Sequence, residues 1–250
     1  MQAAGKGAQL VSFPENCVLM PKSSSQLVEV AQQQSIQIRE RLTEISKANE
    51  ICLIAGSIPF PSEDVSRVYG TCLAFGLDGN IVGRYQKMHL FDVTISSSES
   101  YLESDYTKAG EEVVCIDTPV GRVGLTICYD MRFPELYRGL GRLQADIFNI
   151  PSAFTVPTGI AHWEVLLRAR AIENLSYVIA PAQVGNHPSG RKTYGHTMII
   201  DPWGKVLSSK GSGEGVCYAS IDLAHLNSVR STFPARDHRR FSEENLNYEH

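Results

Sequence analysis

The chain has 250 residues, of which 43% are hydrophobic and 20% charged, as in a globular protein with one large buried core. Its 23 basic and 27 acidic residues give a net charge of −4, and the basic residues are spread along the chain. Because nucleic acids and acidic membranes attract concentrated positive charge, neither is expected as a partner.

Targeting and metal signals are also missing from the sequence. No apolar run approaches the length of about 18 residues that a membrane span requires, and MQAAGKGAQL lacks the apolar core of a signal peptide. We therefore expect a cytoplasmic location, with mitochondria as an additional compartment. The six cysteines form no CxxC pair, which argues against a zinc cluster.

The first half of the chain predicts strands around one long helix. AQLVSFPEN begins as a strand that ends at Pro14, and ICLIAGSIP has the pattern of a buried strand. Residues 25–49 are predicted to be helical because Ile38, Leu42 and Ile45 recur at helical spacing. Asp78-Gly79 predicts a hairpin turn between two strands. The polar stretch 94–108 is predicted to be a long surface loop.

The second half repeats this alternation. Strands are predicted in EVVCIDTPVGRVGLTICYD, ADIFNIPSAF and SYVIAPAQVG, and GHTMIIDPWGKVLSS predicts a hairpin that turns at Pro202-Trp203-Gly204. Helices are predicted in PELYRGLGRLQ, with Pro134 in the first turn, and in HWEVLLRARAIENL. No linker rich in Pro, Gly or Ser interrupts the pattern. The sequence therefore predicts a single α/β domain over residues 1–250, with mixed strand pairing.

Cys128 is the candidate nucleophile because it lies between the apolar strand VGLTI and the start of a helix. A side chain at such a turn projects above the sheet edge, where backbone N–H groups can hold an oxyanion. A nearby helix N-terminus would also lower the pKa of the thiol. The alternative is a buried cysteine that only packs.

A cysteine that attacks an amide needs a base, and several residues could supply it. Glu15 follows a strand in FPEN, and Lys87, in RYQKMHLFD, could stabilise a thiolate and an oxyanion. Each could equally be an exposed residue at a strand end. His162 or His196 could instead make a Cys–His hydrolase, and a non-catalytic interaction scaffold is a further alternative.

Taken together, FPEN, YQKMHLFD and ICYDMRFPELYR closely resemble the nitrilase (carbon–nitrogen hydrolase) superfamily. The resemblance continues through PSAFTVPTGIAHWEVLLRARAIEN and YGHTMIIDPWGKV to PARDHRR and covers essentially the whole chain. It implies a four-layer α-β-β-α sandwich with a Glu–Lys–Cys triad, which here is Glu15 as base, Lys87 as transition-state stabiliser and Cys128 as nucleophile. YLESDY matches the second glutamate of the family and makes Glu103 an auxiliary residue.

Within the superfamily, CYDMRFPE and GIAHWEVLLRARAIE are most similar to the deaminated-glutathione amidase branch, with the ω-amidase branch as the alternative. The implied reaction passes through a cysteine thioester and needs neither a metal nor an organic cofactor. The backbone N–H of Tyr129 is expected to hold the oxyanion with Lys87. Burial beside Glu103 is expected to raise the pKa of Glu15.

The expected substrate is a small amide that carries a carboxylate, for which arginine is the natural ligand. Arg132 is the nearest basic residue after the nucleophile, although it could instead pair with Glu135 or Asp130. Phe154 and Thr193, at strand ends on the same side, are predicted to line the pocket.

The resemblance also implies a homodimer or a higher homo-oligomer. Its apolar interface would come from Leu136, Leu140 and Leu143 or from the patch Trp163–Leu167, unless both stripes face the sheets of their own protomer.

Relatives open with an apolar strand and a helix before the strand that carries the glutamate. We therefore expect the fold to lack its first strand and most of its first helix, and to expose a strand edge near residues 10–13.

Overall fold

The computed structural model describes residues 2–97 and 99–240. Residues 241–250, which the predicted domain includes, lie outside the described residues, and the one-domain assignment stays a prediction. Short 3-10 helices span Ala4–Lys6, Glu103–Asp105 and Cys128–Arg132.

The first half of the chain forms a sheet, a long helix and a separate hairpin. In chain order these elements are β1 (Leu10–Ser12), α1 (Ser24–Asn49), β2 (Cys52–Ile54), β3 (Ile58–Pro61), β4 (Val68–Phe75), β5 (Ile81–Gln86), β6 (Asp92–Ser96) and β7 (Glu99–Leu102). The predicted turn at Asp78-Gly79 is confirmed, and Gly79 has a φ of 82°, which glycine adopts without strain.

The second half forms a larger sheet, its helices and another hairpin. In chain order these elements are β8 (Cys115–Thr118), β9 (Gly121–Leu125), α2 (Pro134–Arg142), β10 (Ile147–Asn149), α3 (Val156–Asn174), β11 (Tyr177–Ala180), β12 (Val184–Asn186), β13 (Lys192–Tyr194), β14 (Met198–Ile200), β15 (Val206–Ser209) and α4 (Leu223–Thr232). The helix α3 begins earlier than the pattern predicted because Pro157 is tolerated in its first turn.

The two main sheets are mixed, as predicted. In the first, β1 pairs with β2 in parallel, and β4 pairs with β2 and β3 on one side and β5 on the other, all antiparallel. In the second, the order is β15-β14-β11-β10-β9-β8, with β9, β10 and β11 parallel. The hairpins β6–β7 and β12–β13 stand apart as two-stranded ribbons.

Four layers follow from the alternation of side chains along the strands. In β4, Cys72 and Ala74 belong to the core that contains residues of the second sheet, whereas Leu73 and Phe75 pack in the cluster that contains Leu42 of α1. The helices α2 and α3 cover the other face of the second sheet through residues such as Leu140 and Leu167. The predicted α-β-β-α sandwich is confirmed.

Strand β1 lies at the edge of the first sheet. Among the described residues its only strand partner is β2, with Leu10 opposite Cys52 and Ser12 opposite Ile54. The expected strand edge near residues 10–13 is therefore present.

Two expectations are wrong. The stretch 94–108 is not a single loop, since its first part pairs as the hairpin β6–β7, with Val93 opposite Tyr101. Half-buried and exposed residues alternate along both strands, as is typical of a strand with one face in solvent. Because most of these residues are polar, the alternation is not visible as a hydrophobic pattern in the sequence.

The apolar stripes proposed for an interface mostly face the protein's own sheets. Leu136, Leu140, Trp163 and Leu167 are buried, whereas Leu143 and, within the patch Trp163–Leu167, Val165 are exposed. Ile160 and Ile172 are further exposed apolar side chains of α3.

Within the part of the chain that the structure describes, none of the helices has the length and apolar character needed to cross a lipid bilayer.

Candidate active site

The candidate catalytic residues line one cavity of about 860 Å³. Glu15 follows β1, Lys87 follows β5, Glu103 follows β7, and Cys128 lies in the turn after β9. Glu15, Lys87 and Cys128 are only 6%, 2% and 6% exposed. The sandwich thus gathers residues that are up to 113 positions apart in sequence, counted from 15 to 128, at one end of its two sheets.

Lys87 lies between two carboxylates. Its Nζ is 2.8 Å from Oε1 of Glu15 and 3.0 and 2.8 Å from the two carboxylate oxygens of Glu103. Burial alone would lower the pKa of Lys87, but Glu103 and Glu15 outweigh that effect and hold it well above its usual value. The lysine is therefore a fixed positive charge beside the sulfur of Cys128.

The thiol of Cys128 lies beside the carboxylate of Glu15 and the backbone of Ala153, and all three residues line the cavity. Burial, and then the charge of Glu15, raise the pKa of this thiol well above its usual range. The expected lowering by a helix N-terminus is wrong, because the following turn is a short 3-10 helix and the carboxylate lies in direct contact. The resting nucleophile is a protonated thiol.

Glu15 also differs from expectation. Burial raises its pKa, as predicted, but the ion pair with Lys87 and the charge of Arg191 act in the opposite direction and leave the pKa below its usual value. The carboxylate is therefore ionised, and it lies beside the thiol. A base that is ionised at neutral pH can take the thiol proton directly.

The turn that carries Cys128 has an unusual backbone. Cys128 has a φ of 48°, in the left-handed region that costs a non-glycine residue about 1–3 kcal/mol. Its N–H donates to the carbonyl of Pro151 at 2.9 Å, which holds the turn against the end of β10. Among the described residues, the next backbone N–H, that of Tyr129, has no acceptor. It is free to donate to a negatively charged oxygen.

Two of the three residues predicted to bind substrate line the cavity. Arg132 lies 5.4 Å from the ring centre of Phe154, and both residues form part of its wall. The alternative partners of Arg132 are excluded for the described residues, because Asp130 is bound elsewhere and no ion pair joins Arg132 to Glu135.

Thr193 does not line the cavity, so this prediction is wrong. Its hydroxyl lies 2.7 Å from Nε2 of His187, inside the hairpin β12–β13. The cavity is lined instead by the residues that precede it, Arg191 and Lys192.

Comparison with known sequences gives the family. The model of the family described as carbon-nitrogen hydrolase matches residues 1–231. The chain belongs to the carbon–nitrogen hydrolase family. The predicted superfamily is thereby confirmed.

Carbon–nitrogen hydrolases similar to this chain include amidases of two kinds. A deaminated glutathione amidase of Synechocystis is 42% identical over 242 residues, which are 96% of this chain and 89% of the relative. The human omega-amidase is 37% identical over 239 residues, which are 96% of this chain and 86% of the relative.

Solved structures of the family share the fold. The Caenorhabditis elegans NitFhit protein superposes with a TM-score of 0.90 at 38% identity, covering 96% of this chain and 58% of that one. A Saccharomyces cerevisiae protein, described as a member of branch 10 of the nitrilase superfamily, gives a TM-score of 0.82 at 33% identity, covering 93% of this chain and 83% of that one.

The histidines considered as alternative bases of this carbon–nitrogen hydrolase lie elsewhere. Nδ1 of His162 is 3.3 Å from the guanidinium of Arg132, and Nδ1 of His196 is 2.8 Å from the carbonyl oxygen of Tyr194. The cavity wall includes neither residue. The described geometry therefore disfavours a Cys–His mechanism.

Sequence reasoning missed Asp130, which joins the lysine segment to the cysteine turn. The carboxylate of Asp130 is completely buried and accepts hydrogen bonds from Tyr85 Oη at 2.7 Å and from the backbone N–H groups of Ile127 at 2.8 Å and His89 at 3.0 Å. Because Lys87 lies between Tyr85 and His89, these bonds hold Lys87 and Cys128 in register. The motif CYDMR carries the only signal, and from the sequence Asp130 is expected only as an alternative partner of Arg132.

Sequence reasoning also missed Gln183. Its side-chain amide donates to the carbonyl oxygens of Glu15 at 3.0 Å and Asn16 at 3.2 Å, and so ties the base to the segment between β11 and β12. Glu103 is similarly oriented by the N–H of Phe91, which donates to Oε2 at 2.7 Å. Glu15 and Glu103 are thus each held by a hydrogen bond from a residue outside the catalytic group.

Proposed function

We propose that this protein hydrolyses deaminated glutathione to 2-oxoglutarate and cysteinylglycine. The observation that carries the proposal is the buried cluster in one cavity, where the thiol of Cys128 lies beside an ionised Glu15 that is paired with the charged Lys87. This arrangement suits acyl transfer from an amide to sulfur. The substrate class is supported by the named activity of similar amidases and by the arginines in the cavity wall.

In the first half of the reaction, Glu15 takes the thiol proton while Cys128 attacks the amide carbonyl. The negative charge that forms on oxygen is held by Lys87 and by the backbone N–H of Tyr129. Glu15 then gives its proton to the departing nitrogen, and the carbon–nitrogen bond breaks. The products of this half are free cysteinylglycine and a thioester on Cys128.

In the second half, Glu15 takes a proton from water, which attacks the thioester. The resulting tetrahedral oxygen is held by the same two donors. The sulfur leaves and recovers its proton from Glu15, so that 2-oxoglutarate is released and the enzyme returns to its starting state. Glu103, bonded to Lys87, has the role of keeping the ammonium charged and oriented throughout both halves.

The test is hydrolysis by the purified protein and by Cys128→Ala. We expect the wild type to release cysteinylglycine from deaminated glutathione and Cys128→Ala to release none while its fold is unchanged by circular dichroism. Turnover by the Cys128→Ala variant would contradict the nucleophile assignment. No turnover by the wild type would favour the scaffold alternative.

The omega-amidase activity is the second candidate, since the human omega-amidase is also similar. Comparing kcat/KM for deaminated glutathione and for the primary amide of 2-oxoglutarate decides between them. A higher value for the primary amide would favour the second candidate.

Oligomeric state and compartment stay predictions from the sequence. We expect a homodimer or larger assembly and a cytoplasmic location with a mitochondrial fraction, which sedimentation and cell fractionation would test.

A further inference from the structure

Arg191 is a cation in the cavity wall that the mechanism above does not use. Among residues 2–97 and 99–240, no carboxylate lies within ion-pair distance of its guanidinium. Its Nε is shielded from solvent and has no hydrogen-bond partner there either. A guanidinium that lines a cavity and has no carboxylate partner can bind an anionic ligand through its accessible N–H groups. Arg191 therefore has the properties of a ligand-binding residue.

The position of Arg191 is held by contacts on both sides. Its Nη2 donates to the carbonyl of Ala153, a residue that lines the cavity together with Cys128. The guanidinium also lies 5.0 Å from the ring centre of Tyr101, on the hairpin β6–β7. Two backbone hydrogen bonds of 2.9 Å close the turn of β12–β13 that carries Arg191. The N–H of His187 donates to the carbonyl of Arg191, and the N–H of Gly190 donates to the carbonyl of His187. The charge is thus preorganised next to the nucleophile.

Arg132 and Arg191 approach the cavity from different elements. Arg132 belongs to the turn of the nucleophile and packs on Tyr129 and Phe154, whereas Arg191 belongs to the second hairpin and packs on Tyr101. The proposed substrate also has two carboxylates, one on the 2-oxo acyl group and one at the glycine end of the leaving amine. Two separate cations match two separate anions.

Glu15 indicates which end belongs to Arg191. Because Glu15 protonates the departing nitrogen, the leaving fragment must emerge on the Glu15 side of the scissile bond. The hairpin that carries Arg191 begins directly after Gln183, whose side chain donates to the backbone carbonyl of Glu15 at 3.0 Å. In agreement with this placement, the charge of Arg191 contributes to lowering the pKa of the Glu15 carboxyl. Arg191 therefore lies on the side from which cysteinylglycine departs.

We propose that Arg191 binds the carboxylate of the leaving amine and thereby selects substrates whose leaving group is an anionic peptide rather than ammonia. This inference rests on the proposed function. It assigns Arg132 to the acyl end and Arg191 to the leaving end. A short primary amide, which releases ammonia, places nothing on Arg191.

The test compares three substrates with one acyl group. They are deaminated glutathione, the same compound with its glycine carboxylate converted to an amide, and the primary amide of 2-oxoglutarate. For Arg191→Gln we expect kcat/KM for deaminated glutathione to fall about 10- to 100-fold, mainly through KM, as for loss of a charge-assisted hydrogen bond. The other two substrates should change by less than about 3-fold. Arg191→Lys should fall between wild type and Arg191→Gln.

Arg122→Gln is the matched control. Arg122 also has a shielded Nε without a hydrogen-bond partner among the described residues, but it pairs with Asp117 at 3.2 Å and lies outside the cavity wall. We expect all three substrates to react as with wild type. Selective loss of deaminated glutathione turnover in this control would overturn the inference.

Other outcomes also decide the question. Equal losses for all three substrates in Arg191→Gln would show that the arginine only positions Ala153, and a loss shared by deaminated glutathione and its amide would show contact without carboxylate recognition. Either result overturns the inference while the proposed function stands. If the wild type hydrolyses none of the three substrates, the proposed function fails and the inference with it.

Discussion

The buried cluster at the strand ends and the two hairpins over the cavity have opposite properties. Glu15, Lys87 and Cys128 are almost completely buried, and each is held by backbone or side-chain partners outside the cluster. The hairpins β6–β7 and β12–β13 are two-stranded ribbons whose residues are largely half-buried or exposed. Proton transfer needs fixed, desolvated groups, whereas recognition needs groups that reach the substrate. Variants in the buried cluster should therefore slow the hydrolysis of every amide substrate. Variants in the cavity wall should slow the hydrolysis of only some of these substrates.

Among variants that keep the nucleophile, Glu15→Gln should have the largest effect. The amide cannot accept the thiol proton, so we expect kcat to fall by about 10²- to 10⁴-fold for every substrate, as for loss of a general base. Steady-state kinetics with deaminated glutathione and with the primary amide of 2-oxoglutarate measures this. A loss confined to one of the two substrates would break the comparison.

Asp130→Asn should have the next largest effect, through position and not through chemistry. The variant weakens the bonds to Tyr85, His89 and Ile127, so we expect kcat to fall about 10-fold or more for all substrates with little change in KM. The free energy of unfolding should fall by about 1.5–3 kcal/mol, measured by denaturant titration.

Asp117→Asn is the control for that variant, because Asp117 is exposed and its only ion-pair partner among the described residues is Arg122. It should leave kcat and stability unchanged, since exposed ion pairs contribute little. If Asp130→Asn were as mild as this control, the link between Lys87 and Cys128 would not matter for catalysis.

Arg132→Lys should show a smaller, selective effect. A lysine keeps the charge but loses the planar fork, so we expect KM for amides with a 2-oxo acid group to rise about 3- to 10-fold. KM for butyramide, a neutral amide, should not change. Equal changes for anionic and neutral amides would show that Arg132 is not the carboxylate site.

Thr193→Val should have the smallest effect. Its hydroxyl bonds His187 and does not reach the cavity, so kcat/KM should stay within about 2-fold of wild type for every substrate. Stability should fall by about 0.5–1.5 kcal/mol, measured by thermal unfolding. A substrate-selective rise in KM would return Thr193 to the cavity wall.

The elements that could be predicted are those with strong local patterns. The buried strand around Leu53, the helix with Leu42 and the turn at Gly79 each follow from residue spacing within a short window. The hairpin β6–β7 could not be predicted in this way, because its strands are polar and are defined by pairing between residues such as Val93 and Tyr101. The interface stripes failed for a related reason, since periodicity shows that a face is apolar and not what covers it.

For the site, the order of the motifs in the sequence identified the candidates Glu15, Lys87, Glu103 and Cys128. Because the resemblance to the family covers the whole chain, each family motif assigns a role to the matching residue here. It could not supply the signs of the pKa shifts. Burial raises the pKa of Glu15 and the charge of Lys87 lowers it, and the outcome depends on the 2.8 Å distance between them. Such a distance exists only after the strand ends have met.

The sequence by itself therefore determined the family, the layered α/β fold and the residue types of the catalytic cluster, since these depend on local pattern and on motif identity. Only the tertiary structure decided which groups surround them. Asp130, Gln183 and Arg191 act across gaps of many residues, and their roles depend on which backbone atoms and cavity walls the fold places beside them. Contacts between distant segments are properties of packing, and no local pattern in one sequence encodes them.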